Sequence, residues 1–69
     1  MGTPRQETIE RVISKLKNHA SQFTATAFRA ELGEWGTYID LKESQRILSE
    51  YVNKGELTKK RFKDLTLYY

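Results

Sequence analysis

The sequence predicts one mainly α-helical domain that ends in a small β-hairpin. Apolar residues recur with helical spacing in the first 20 residues and again after residue 40. The last thirteen residues are instead rich in β-branched and aromatic side chains and alternate in polarity, which is typical of paired strands. A chain of 69 residues has room for a single hydrophobic core, so residues 1–69 are interpreted as one domain.

The first helix is predicted over residues 4–20. Thr3 is suited to cap it, and Pro4 is suited to its first position, where a missing N–H costs nothing. His19 falls in the last turn and is interpreted as structural, because a cation or donor there interacts favourably with the helix dipole. Five apolar side chains recur at the spacing that places them on one face: Ile9, Val12, Ile13, Leu16 and Ala20.

The second helix is predicted over residues 25–32, after a break at residues 21–23 that has room for a very short strand. Thr24 is suited to cap this helix, and Gly33 is predicted to end it in the left-handed conformation. A connector of residues 33–40 follows. We expect Trp35 in this connector to fill the core, because a small domain needs its largest side chain inside.

The third helix is predicted over residues 41–54, with Asp40 as its N-cap and Gly55 as its end. Its apolar positions run along one stripe that includes Ile47 and Leu48, and Tyr51 on this stripe is predicted to lie in the core. These features predict a helix that packs one face and exposes the other.

The hairpin is predicted over residues 57–69. Residues 57–60 are expected to pair with residues 65–69 around a turn near residues 61–64. The turn contains no Asn-Gly or Asp-Gly pair, so the sequence leaves its register open. Tyr68 and Tyr69 are expected to pack the hairpin against the first helix.

The positive charge is concentrated in the C-terminal part of the chain. Residues 1–40 carry five basic and five acidic side chains, whereas residues 41–69 carry seven basic and four acidic ones. The whole net charge of +3 therefore arises after residue 40, which indicates a surface that binds an anionic partner. The chain has no cysteine, no recognisable signal peptide and no long apolar run. We therefore expect a cytoplasmic protein, nucleoid-associated in a prokaryote, that does not contact a membrane.

The outer face of the third helix carries a polar stripe whose side chains suit duplex DNA. Arginine can bridge O6 and N7 of guanine, glutamine and asparagine can pair with adenine, and lysine and serine can hold phosphates. Such a stripe is also typical of any solvated helix face, and the basic run after it favours the DNA interpretation. The predicted base-reading residues are Lys42, Gln45, Arg46, Ser49 and Asn53. The predicted backbone contacts are Lys54, Lys59, Lys60, Arg61 and Lys63.

Three segments of the chain resemble the winged helix-turn-helix DNA-binding superfamily. They are the apolar stripe of the first helix, the segment from Phe23 to Gly33, and the segment from Ile47 to Leu57. The last is similar to the end of that family's recognition helix, where apolar pairs lead into a Lys-Gly turn. The resemblance implies the order α-β-α-α-β-β, a helix-turn-helix made of the second and third helices, and a wing formed by the hairpin. The connector is longer than the family's usual tight turn.

The predicted function is double-stranded DNA binding by a small transcriptional regulator. The third helix would enter the major groove, and the basic hairpin would contact the flanking backbone or minor groove. No cofactor, metal or small-molecule substrate is expected, and a homodimer or a protein partner would extend the site. Catalysis is not expected, because the sequence offers no nucleophile–base pair, no glycine-rich phosphate loop and a single histidine.

Two alternatives remain open at this stage. A winged helix can serve as a protein–protein interaction module in a larger assembly, and Glu43, Glu50 and the region of Trp35 would then be the contacts. The chain can also be interpreted as a binder of single-stranded nucleic acid or RNA that stacks bases on Trp35 and Tyr68.

Overall fold

Three helices followed by a two-stranded antiparallel hairpin make up the fold, as seen in a computed structural model that describes residues 6–69. The mainly helical class with a small hairpin is confirmed, and the order matches a winged-helix-like layout. The predicted cap Thr3 and first position Pro4 lie outside the described residues. The elements are α1 Gln6–His19, α2 Ala25–Glu34, α3 Leu41–Asn53, β1 Lys59–Phe62 and β2 Leu65–Tyr68.

The core lies between the three helices. Val12 of α1, Phe28 and Leu32 of α2, and Leu48 of α3 are fully buried, as the helical spacing of the apolar residues requires. Ser44 is also fully buried, and its hydroxyl donates a hydrogen bond to the carbonyl oxygen of Asp40 at 3.0 Å. A polar group is therefore accommodated in the core because it has a partner.

The base of the hairpin is joined to the segment between α1 and α2. Phe23 and Tyr68 form an antiparallel bridge in which each backbone N–H donates to the other's carbonyl, at 2.9 and 2.8 Å. Both side chains are buried, with ring centroids 6.1 Å apart. The predicted short strand at residues 21–23 is thus a single bridge at Phe23, and it fixes β2 against the helical core. Tyr69, in contrast, is exposed.

The C-terminal ends of α2 and α3 each use a glycine with positive φ. Gly36 after α2 and Gly55 after α3 each have φ of 83°. The N–H of Thr37 donates to Leu32 and the N–H of Glu56 donates to Tyr51, each at 3.0 Å, which closes the last helical turn. The predicted role of Gly55 is confirmed, and α3 ends at Asn53 instead of residue 54.

The predicted end of the second helix is wrong. Gly33 is a helical residue, α2 continues to Glu34, and the left-handed position is Gly36. The connector therefore spans residues 35–40 instead of residues 33–40. The sequence offers two glycines three residues apart, and the extra half-turn at Gly36 allows Thr37 to bond back to Leu32.

Alanine substitutions at the two glycines are expected to act in opposite directions. Gly36→Ala should destabilise the domain by about 1–2 kcal/mol, because an L-residue is strained at positive φ. Gly33→Ala should stabilise it by about 0.5–1 kcal/mol, because alanine is the better helix former. A Cβ at Gly33 would lie 3.5 Å from the ring of Tyr38, an ordinary contact. Urea unfolding of both variants measures the difference, and a larger loss at Gly33 would contradict this description of α2.

Trp35 does not fill the core, and this expectation is wrong. It lies at the C-cap of α2 with 46% of its surface exposed, and Tyr38 is 69% exposed. Phe28 and Leu32 already fill the space between α2 and α3. The indole N–H instead donates to Glu31 at 3.4 Å, so Trp35 lies against the exposed surface of its own helix.

The bounds of the hairpin strands differ from the predicted ones, and the structure fixes the register that the sequence left open. Lys59 to Phe62 pair with Leu65 to Tyr68 in antiparallel register, and the turn consists of only Lys63 and Asp64. The strands therefore occupy residues 59–62 and 65–68, instead of residues 57–60 and 65–69. Leu57 is buried, and its N–H donates to the carbonyl oxygen of Tyr51 in α3 at 3.2 Å, so it anchors the chain before the first strand. Within residues 6–69, no helix has the length and apolar character needed to cross a bilayer.

Candidate nucleic-acid interface

The outer face of α3 is positioned by its cap and by its buried stripe. The side chain of Asp40 accepts a hydrogen bond from the N–H of Glu43 at 2.8 Å, so the predicted N-cap is confirmed. Burial of Ile47, Leu48 and Tyr51 turns the opposite stripe towards solvent. Ser49 is half-buried, and the other four predicted base-reading residues are exposed: Lys42, Gln45, Arg46 and Asn53.

Arg46 is held by two carboxylates of its own helix. Its Nε donates to Glu43 at 2.9 Å, and its Nη2 also pairs with Glu43. Its Nη1 lies 3.3 Å from Glu50. The spacings i−3 and i+4 place both acids beside Arg46 on the helix surface. Of the five stripe residues, Arg46 is therefore the one whose charge is already offset.

The Glu43–Arg46 pair persists at neutral pH. The hydrogen bond from Arg46 lowers the pKa of the Glu43 carboxyl, and the same bond raises the pKa of Arg46. Because the pKa of Glu43 is depressed in the folded protein, the pair is fully present above the ordinary glutamate pKa. It is lost only as the pH falls through the depressed value. Acidification, and not a rise in pH, would release Arg46.

The four basic residues of the hairpin are exposed but lie on two faces. Directly paired residues share a face, and successive residues alternate. Lys59 pairs with Tyr68 and Arg61 pairs with Thr66, so these two cations lie on the face that turns towards the helices. Lys60 lies on the other face, with its Nζ 5.6 Å from the ring centroid of Tyr69. Lys63 occupies the turn.

A groove of about 490 Å³ separates α3 from the hairpin. Its floor is close to the N-terminus of α2, where Thr24 caps the helix by accepting from the N–H of Ala27. Leu41 and Leu65 add apolar surface at its rim, and Asp64 adds one carboxylate. The remaining polar lining consists of hydroxyls, an amide and one cation: Thr24, Thr26, Thr66, Ser49, Gln45 and Lys59. Sequence reasoning missed the three threonines, because only tertiary structure brings them together.

The other predicted contacts lie outside this groove. Lys54 caps α3, and its Nζ lies 4.7 Å from the ring centroid of Tyr51. Tyr51 is buried as predicted, and burial raises the pKa of its hydroxyl. Tyr68 is buried as well, which contradicts the alternative in which it stacks on a base.

A second groove, of about 400 Å³, lies between α2 and the connector. Tyr38 and Ile39 line it together with Arg29, whose Nε donates to the carbonyl oxygen of Ile39 at 2.8 Å. Nearby, Glu31 accepts from Lys15 at 2.7 Å, and this hydrogen bond lowers the pKa of Glu31. The described residues form no cluster of three or more side chains suited to hold a metal ion.

Comparison with known proteins adds no assignment. No protein-family model, no curated protein and no solved structure matches this chain.

Proposed function

We propose that this domain binds double-stranded DNA, with α3 in the major groove and the hairpin over the neighbouring backbone and minor groove. The observation that carries the proposal is the groove between α3 and the hairpin. Adjacent major and minor grooves of a duplex are separated by one sugar-phosphate strand. A protein that enters both grooves needs a channel on its own surface for that strand, lined by groups that donate hydrogen bonds to phosphates.

The lining of the groove supports this assignment. Hydroxyls, amides, lysines and helix N-termini are the groups that commonly hold phosphates. Lys59 approaches the groove from the hairpin, Ser49 from α3, and Thr24 and Thr26 from the first turn of α2. Three elements thus converge on one strand of the duplex, which would fix the depth of α3 in the major groove.

The charge distribution supports the same orientation. The hairpin carries four cations and one carboxylate, whereas the two acids of α3 balance the two cations of that helix. Affinity would therefore come mainly from the hairpin, and α3 would contribute base contacts through uncharged amides. Gln45 and Asn53 are the side chains suited to pair with adenine. Arg46 would contact a base only after exchanging at least one carboxylate for it.

The alternative is a protein-interaction module, and the connector supports it. Trp35 and Tyr38 are exposed, and Tyr38 lines the second groove. Aromatic side chains are enriched at the centres of protein interfaces. A regulator could use this surface for a protein partner or a second copy while α3 contacts DNA, so the two interpretations concern different faces of the domain.

Fluorescence anisotropy with a labelled random-sequence duplex tests the proposal. Binding is expected at 50 mM salt and should weaken steeply by 200 mM, because phosphate contacts release counterions. A single strand of the same length should bind more weakly. Absence of duplex binding at 50 mM salt would overturn the proposal and direct attention to the surface of Trp35 and Tyr38.

Glu50→Gln is expected to strengthen duplex binding severalfold at low salt. The change removes one carboxylate beside the polar stripe of α3 and releases the Nη1 group of Arg46. Glu10→Gln on α1 is the matched control, because it changes the net charge equally on another exposed helix. If both variants gain equally, the effect is one of net charge alone. Weaker binding by Glu50→Gln would contradict the orientation of α3.

A further inference from the structure

The tip of the hairpin exposes two large apolar side chains that face each other. Phe62 and Leu65 are directly paired in the strand register, and they are 56% and 53% exposed. The core is complete without them, since the hairpin is anchored by Leu57 and Tyr68 at its other end. Cross-strand pairing of the two side chains stabilises the hairpin, but it leaves more than half of each exposed and available for contact with a ligand.

The turn between these residues places a charged side chain at a position with a strained backbone conformation. A two-residue hairpin loop needs positive φ at its first position, where Gly, Asn or Asp is usual. Here Lys63 occupies it with φ of 56°, and it is the one non-glycine residue with positive φ among residues 6–69. Strain of this kind is typical of functional segments. Lys63 thus places a cation at the tip, in a backbone conformation that glycine would adopt with less strain.

The apolar and basic side chains of the tip lie close to each other. The Nζ of Lys63 lies 5.7 Å from the ring centroid of Phe62, so the cation accompanies the ring. Leu65 and Asp64 line the groove that Gln45 and Ser49 of α3 also line. The tip therefore borders the proposed duplex surface through Asp64 and Leu65. Phe62 pairs with Leu65 at the end of the hairpin, on the same strand face as Lys60.

From this arrangement we infer that the hairpin tip is an apolar wedge for the DNA minor groove. Phe62, supported by Leu65, contacts the sugar and base surface of one base step, and Lys63 holds a phosphate beside it. Apolar side chains that enter the minor groove unstack a step and bend the duplex towards its major groove, by roughly 20–90°. The domain would then bend its target as well as bind it. This inference rests on the proposed function.

Exposed apolar and basic side chains can also bind a lipid surface. The tip is nevertheless better suited to a duplex. Stable binding at a membrane interface requires an extensive apolar face in addition to basic residues. The tip offers two apolar side chains, and the groove beside them is lined by hydroxyls, an amide and a lysine. A wedge needs only one or two apolar groups, set among phosphate contacts.

Energy transfer between dyes at the two ends of a short duplex tests the inference. The native protein is expected to raise the transfer efficiency on binding, because bending brings the ends together. Phe62→Ala should bind with reduced affinity and lose most of the change in transfer at saturation. Phe62→Leu is the matched control and should retain it, because leucine also acts as a wedge. Circular dichroism of each variant checks that the fold is intact.

The outcomes separate this inference from the proposed function. If the native protein binds the duplex without a change in transfer, or if Phe62→Ala bends it equally, the wedge is overturned and DNA binding stands. If no duplex binds at 50 mM salt, both fall. Binding to phosphatidylserine vesicles that depends on Phe62, with no bending of DNA, would overturn the wedge in favour of a lipid surface.

Discussion

Replacing Lys59 and Arg61 together with glutamine is expected to weaken duplex binding on the order of 100-fold at 0.1 M salt. Each phosphate contact contributes about one unit to the slope of the logarithm of affinity against the logarithm of salt concentration. Both cations lie on the hairpin face that turns towards α3, and Lys59 lines the groove itself. The slope should therefore fall by about two, with the loss shared by all sequences. Anisotropy titrations over a series of salt concentrations measure both quantities.

Lys60→Gln provides the matched control for this result. Lys60 is adjacent in sequence and also exposed, but it lies on the opposite face of the hairpin, with its Nζ over the ring of Tyr69. Its replacement should change the slope by less than half as much as Lys59→Gln does alone. If Lys59→Gln and Lys60→Gln changed the slope equally, the hairpin would attract the duplex by its net charge, without an oriented contact. The oriented contact described above would then be wrong.

Phe28→Ala is expected to unfold much of the protein. Phe28 is fully buried between the helices, and removal of a buried phenylalanine side chain costs about 3–5 kcal/mol. A domain of this length has a total stability of roughly 3–10 kcal/mol at the usual value per residue. The loss should appear as a much lower urea midpoint in far-ultraviolet circular dichroism.

The same substitution at the hairpin tip gives the control. Phe62→Ala removes an exposed ring and should change stability by less than about 0.5 kcal/mol. The pair thus compares one chemical change at a core site and at a proposed contact site. If Phe62→Ala destabilised the domain as much as Phe28→Ala, the tip would be part of the core, and its proposed role in bending DNA would lose its support.

The predictable parts of the fold were those set by local chemistry. Periodic burial placed α1 and α3, because residues three and four apart share a helix face wherever the helix packs. Asp40 and Gly55 were identified as helix ends for the same reason, since a capping side chain and a left-handed glycine act within one turn. The outward orientation of the α3 stripe followed once the apolar side was assigned.

The parts that sequence reasoning missed depend on competition between distant groups. Gly33 and Gly36 are both able to end α2, and the hydrogen bond from Thr37 to Leu32 decides for Gly36. Trp35 was assigned to the core by its size alone, although Phe28 already occupied that space. The register of the hairpin is closed by the two-residue turn at Lys63 and Asp64. That turn contains neither glycine nor asparagine, so the sequence did not reveal it.

The candidate site could be predicted only in part, because it too depends on residues that are distant in sequence. Its cations and its helix stripe are visible in sequence, whereas the groove between them needs α2, α3 and the hairpin to meet. The pairing of Arg46 was the exception, because Glu43 and Glu50 stand at the helical spacings that place them beside it. That signal was present in the sequence and would have identified Arg46 as the least available of the stripe residues.

The central claim is that α3 and the inner face of the hairpin contact the same duplex. A backbone amide titration by nuclear magnetic resonance, with a duplex at low and at high salt, tests it most directly. We expect shifts to cluster on residues 24–26, 42–53 and 59–66 and to fade as salt is raised. Shifts confined to residues 35–39, or none at low salt, would contradict the claim.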